Sequence, residues 1–175
     1  MHERTRQVLS APSASGLDRL SAVVEAVATQ RYNQNRCRTR IGGELLVLQD
    51  AGGTWQEIAD WTTMDERTVR TLARAPKFTD AAASGIDEEL VALVAQVPAN
   101  PFFRTCELLT VSRFFEALAT ELEDVTDWLC FELSTAGVER SYIARHAHVN
   151  QLTLARRINR ARRGKRPGRA SASGG

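Results

Sequence analysis

A chain of 175 residues with 43% hydrophobic and 25% charged content can bury one sizeable core or two small ones, which excludes a wholly disordered protein. The net charge of +2 hides two opposed regions: residues 140–175 hold ten Lys or Arg and no Asp or Glu, whereas residues 1–139 hold 13 basic and 21 acidic residues. Three scattered cysteines (Cys37, Cys106, Cys130) argue against a disulfide framework. With no apolar leader and no bilayer-length apolar run, they set the expectation of a soluble, cytoplasmic protein.

The chain is rich in Ala, Leu, Glu and Arg, so helix is expected almost throughout and the fold class is all-α. Residues 1–16 are polar and small and read as a flexible arm. From Leu17, the residues Leu20, Val23, Val24 and Val27 follow helical spacing, with Asp18 at the positive end of the dipole. The segment 31–40 places Arg31, Arg36, Arg38 and Arg40 on a helix end or loop. Leu45, Leu46 and Leu48 predict a short support helix closing at Ala51, Gly52 and Gly53, where glycines supply a C-cap. Thr54 with Glu57 three residues later is a capping-box signature for the next helix. A further short helix follows and ends at Ala75, before Pro76. Residues 17–76 are read as one unit.

Residues 77–123 are read as a helical connector. It contains a linker, a helix with Ile86, Leu90, Leu93, Val94 and Val97 on one side, and a stop at Pro98. Asn100 and Pro101 open a region containing Phe102, Phe103, Phe114 and Phe115, whose helical spacing among aliphatics predicts a core joining the halves. Residues 124–164 form the second unit, with Trp128, Leu129 and Leu133 on its support helix, and 165–175 form a basic flexible tail. No strand pair follows either unit, so no wing is expected.

The stretches 51–75 and 136–160 align without a gap at an offset of 85. They share Ala51/Ala136, Gly52/Gly137, Ile58/Ile143, Ala59/Ala144 and Thr68/Thr153, and both carry apolar residues at Met64/Val149 and Val69/Leu154. A small residue at Ala59 and Ala144 lets two short helices cross closely, and Asp65 and Asn150 stand where a side chain can cap the following helix. This pattern resembles the helix-turn-helix superfamily of DNA-binding proteins, twice in tandem. The resemblance implies two trihelical units and a second short helix lying in the major groove. The chain departs from it in two ways. Thr63 and His148 stand where the turn usually carries glycine, and Arg157 stands where a core aliphatic is common, with Ile158 read as filling that role.

On that alignment the groove-facing residues of the second motif are Asn150, Gln151, Leu152, Arg156, Asn159 and Arg160, with Thr153 at a phosphate. Amides suit adenine and arginine suits guanine. Arg162, Arg163, Lys165, Arg166 and Arg169 are assigned to phosphates or a minor groove. The first motif offers Arg67, Thr68, Arg70, Thr71 and Arg74, opposed by Asp65 and Glu66 at the helix start. His146 and His148 have poor spacing for a shared metal, and Glu121, Glu123, Asp124 and Asp127 read as a solvent-facing stripe. No catalytic residues, cofactor or metal are therefore assigned, and the chain is not read as an enzyme.

The expected function is sequence-specific binding of double-stranded DNA by a transcriptional regulator, a repressor, reading an asymmetric or bipartite site. The superfamily also serves phage and plasmid regulation, so two rivals stand beside this reading. One is a DNA-architectural or genome-handling adaptor for packaging, replication or partition. The other is a helical protein-interaction module whose aromatic connector takes a second copy or a protein partner.

Overall fold

The computed structural model describes residues 15–74 and 100–164, all helix, turn and cap, with no strand among them. The described residues form six helices, in order α1 (Gly16–Asp50), α2 (Trp55–Thr62), α3 (Glu66–Ala73), α4 (Pro101–Thr135), α5 (Arg140–His146) and α6 (Gln151–Arg163). No described helix is long and apolar enough to cross a membrane. The helix expected over 86–97, the N-terminal arm before Ser15 and the tail from Lys165 lie outside the described residues.

The support helices are far longer than the sequence suggested. Both α1 and α4 are 35 residues long, and α1 runs unbroken through the four arginines of 31–40 and through Gly42 and Gly43. Asn33 and Gln34, within the segment read as a helix end or loop, are buried on that helix. The duplication at an offset of 85 consequently spans complete three-helix segments. Ser15 caps α1 through its hydroxyl to the Asp18 amide (3.1 Å), and Asn100 at the equivalent place caps α4 through its carbonyl to the Phe102 amide (2.9 Å). Pro101 fills the first helical position of α4, where a missing N–H costs nothing.

Both long helices end alike. Gly52 and Gly137 adopt positive φ (99° and 83°), and the next amides, of Gly53 and Val138, return to the carbonyls of Leu48 (3.1 Å) and Leu133 (3.0 Å). The expected capping box at α2 is present: Thr54 Oγ1 accepts from the Glu57 amide at 3.2 Å, and Glu57 accepts from the Thr54 amide at 2.8 Å. Those bonds hold the Glu57 carboxyl below the usual carboxylate range.

The described residues divide into two compact units, one drawn from a single stretch of sequence and the other from the two stretches that flank it. One combines residues 31–50 of α1 with α2, α3 and residues 101–116 of α4. Its core holds Ile41 and Leu45, Ile58 and Ala59, Val69 and Leu72, and Leu108. The other combines residues 16–30 of α1 with residues 117–135 of α4, α5 and α6, around Leu20, Cys130, Ile143, Ala144, Ala147 and Leu154. The first half of one repeat's long helix thus completes the core of the other repeat's short-helix pair. Of the aromatic residues assigned to a core, Phe115 is buried against Cys37 and Phe102 is half-buried, but Phe103 and Phe114 are exposed. Cys37 and Cys130 are buried, and burial pushes both thiols up to about 11.

The turns between the short helices keep left-handed backbone without glycine: Thr63 has φ 54° and His148 φ 50°. The amides that follow, of Met64 and Val149, bond back to the carbonyls of Ala59 (3.1 Å) and Ala144 (3.0 Å), so the turn geometry is imposed by the chain around it. Both residues are exposed, and a non-glycine residue here costs roughly 1–2 kcal/mol. Glycine's larger unfolded-state entropy takes back part of that. Thr63→Gly is therefore expected to raise stability by about 0.5–1 kcal/mol, measured as a higher Tm of a few degrees. His148→Gly should gain less, because histidine tolerates this region better than a β-branched residue.

Candidate nucleic-acid interface

In the second unit, Ile143, Ala144 and Leu154 meet in one core, which seats α6 across α5 with its opposite side outward. Asn150 caps α6: its Oδ1 accepts from the Thr153 amide at 2.8 Å. That bond occupies the Asn150 carbonyl, a group the sequence offered to a base. On the helical period of about 3.6 residues, Leu152, Arg156, Asn159 and Arg163 form one stripe on the side of α6 away from Leu154 and Ile158. All four are exposed, Leu152 at 64%. Thr153 is half-buried, while Gln151 and Arg162 are exposed on one flank and Arg160 on the other.

Two shallow depressions mark this face. One, of about 280 Å³, is lined by Thr153, Arg156, Arg157 and Arg160 with Glu123, and one of about 370 Å³ by Arg156, Asn159, Arg160 and Arg163. A third, of about 380 Å³, joins Asn159 and Arg162 to Arg140 at the start of α5. Arg140 escaped the sequence reading, which looked only along the second short helix. Arg145 and Tyr142 on α5 escaped it too. Both are exposed, with the guanidinium 5.9 Å from the ring centroid.

Asp127 departs from the solvent-facing stripe expected of it. It is buried on α4, with Arg157 Nη1 donating to its Oδ1 at 3.5 Å and Arg160 Nη1 lying 3.0 Å from Oδ2. Oδ2 receives no hydrogen bond of good geometry, so the Arg160 contact is chiefly Coulombic. Burial pushes the Asp127 carboxyl above its usual range, against the lowering by Arg160 and Arg157. The arginine that interrupts the aliphatic pattern thus has a partner inside the unit, and Ile158 packs half-buried against the core beside it. Arg160 stays 65% exposed at its side chain, held at one end and open at the other.

The first unit places its equivalents differently. Asp65 caps α3, accepting from the Thr68 amide at 2.8 Å and the Thr68 hydroxyl at 2.6 Å, which holds its carboxyl below the usual range. Arg70 donates to Glu66 at 2.7 Å with its guanidinium 5.7 Å from the Trp55 ring centroid, and the Thr71 hydroxyl donates to the Arg67 carbonyl at 2.7 Å. Three of the five assigned residues are therefore engaged within their own repeat, leaving Arg67 and Arg74 exposed. At the helix start, α3 presents two carboxylates where α6 presents the amides Asn150 and Gln151.

His146 sits half-buried with its Nδ1 2.9 Å from the Ser21 hydroxyl, and its equivalent in the first repeat is Trp61, 51% exposed. Lys165, Arg166 and Arg169 lie outside the described residues. The chain matches no protein-family model, no curated protein and no solved structure.

Proposed function

We propose that this chain is a tandem helix-turn-helix protein that binds double-stranded DNA sequence-specifically, through α6, as a transcriptional regulator. The observation that carries the reading is the outward stripe of α6: Leu152, Arg156, Asn159 and Arg163 project from a capped helix opposite its core, and α5 and α6 hold no carboxylate. Arginine can bond guanine O6 and N7 in a bidentate fork, and asparagine can bond adenine N6 and N7. The flanking Arg140, Arg160 and Arg162 supply phosphate contacts that set register. The turn residues Thr63 and His148, the crossings at Ala59 and Ala144 and the caps at Asp65 and Asn150 support two trihelical units of one design. Their charges support unequal roles: α6 is the reader, and α3, fronted by Asp65 and Glu66, adds Arg67 and Arg74 to an asymmetric site.

Selection of duplexes from a random pool, followed by affinity measurements across a salt series, tests the reading. A recovered consensus supports it. Tight binding without base preference replaces it with an architectural role, and no binding at low salt leaves a protein-interaction module. On the selected duplex, Arg156→Ala is expected to cost about 1–3 kcal/mol and to relax preference at one base pair. Arg163→Ala should weaken all sequences alike and flatten the salt slope. Equal loss on all sequences from Arg156→Ala would remove that residue from the base-reading set.

A further inference from the structure

The outward stripe of α6 has one member that neither phosphate chemistry nor hydrogen bonding explains. Leu152 is 64% exposed, the most exposed of the large hydrophobic residues described, yet every neighbour on its stripe is an arginine or an amide. It has no place in the core, because Leu154 and Ile158 already fill the inner side of α6. It caps nothing, because Asn150 does that. Its helical position is one turn before Arg156, in the first turn of the helix, so a groove that admits Arg156 and Asn159 receives the Leu152 isobutyl group at the same depth.

Resting on the DNA-binding reading above, we propose that Leu152 is a specificity-determining residue that packs against a thymine C5 methyl in the major groove. Thymine is the base that presents a methyl there, beside its O4 acceptor, and an aliphatic side chain is the complementary surface. Arg156 and Asn159 read hydrogen-bonding edges, while Leu152 reads an apolar one. The first repeat carries Arg67 at the equivalent place, exposed on α3. The two helices therefore prefer different bases at this register, guanine for Arg67 and thymine for Leu152.

The test uses the full chain and the duplex recovered by selection, with each thymine replaced singly by deoxyuridine, which removes the methyl and leaves every hydrogen-bonding atom in place. Fluorescence anisotropy should find one position where the wild-type chain binds the deoxyuridine duplex about fourfold more weakly, the factor that one buried methyl is worth. Leu152→Ala, an exposed change that leaves the core intact, should bind the thymine and deoxyuridine duplexes equally at that position. Arg156→Ala should keep the difference. If no position responds to the missing methyl, or if Leu152→Ala still discriminates as wild type does, the assignment of Leu152 is overturned while DNA binding stands. If no duplex is bound at all, the DNA-binding reading itself fails and takes this inference with it.

Discussion

Replacing Gly42 with alanine is expected to destabilise the protein by about 3 kcal/mol, although the same change in an exposed helix interior normally stabilises. A Cβ at residue 42 would stand 2.3 Å from the Leu72 carbonyl oxygen and 3.2 Å from the Leu72 carbonyl carbon. Both belong to the backbone of α3, so no side-chain rotation relieves the contact. Either α3 moves off α1, opening the core formed by Ile41, Leu45, Val69 and Leu72, or α1 bends. Against a total stability of order 5–15 kcal/mol, that is a large fraction.

Gly43 is the internal control. It is exposed, and a Cβ there meets nothing within 4 Å, so Gly43→Ala should gain about 0.5–1 kcal/mol from helix propensity. Chemical denaturation of the two variants measures the contrast. Adjacent Gly→Ala changes of opposite sign identify α1–α3 contact as the reason for glycine at 42; equal shifts would reject it.

That glycine also shows where the sequence was readable and where it was not. The short-helix pairs were legible because local chemistry specifies them: Ile58 and Ala59 repeat as Ile143 and Ala144, and Thr54, Asp65 and Asn150 carry cap side chains. The long helices were not, because Gly42, Gly43, Asn33 and Asn35 are locally poor helix formers and the polar run at 31–40 shows no apolar face. Packing overrides that propensity: Asn33, Gln34, Cys37 and Ile41 are buried along one continuous helix, and Gly42 lets α3 approach. The outward face of α6 was read from the alignment of the two repeats, and Leu152, Arg156 and Asn159 of that reading are exposed. The local use of Thr68, Arg70 and Thr71 did not, since rotamers and caps decide it.

Asp127 was misread for a related reason. Its neighbours Glu121, Glu123 and Asp124 suggest a solvated stripe, and its partner Arg157 lies 30 residues away. The signal was present in the duplication itself: at an offset of 85, Gly42 and Leu72 become Asp127 and Arg157. A close glycine–leucine contact in one repeat is replaced by an acid–base pair in the other, a joint change that marks two residues facing each other.

This exchange gives the second large prediction. Asp127→Ala should cost about 2–3 kcal/mol, below the usual 3–5 for breaking a buried pair, because Arg157 is 23% exposed at its side chain and can turn towards water. Arg157→Leu should cost a similar amount by leaving the buried carboxylate with Arg160 alone. The double variant Asp127→Ala/Arg157→Leu, close to the pair that the first repeat uses, should be as stable as the wild type or more so, since an apolar contact escapes the desolvation of two charges. A thermodynamic cycle measured by denaturation reads the coupling, and additive losses in the double variant would show that the two side chains do not act as a pair. Acidity adds an independent signature. Burial raises the Asp127 carboxyl above its ordinary value of 3.8, so the folded chain holds this proton more tightly than the unfolded chain. The contribution of this group to stability is therefore greatest below that ordinary value and falls as pH rises from it through the folded value. Removing Arg157 raises the folded value further, so Arg157→Leu should recover part of its lost stability in mild acid relative to wild type, and the double variant, which has no carboxyl at 127, should not.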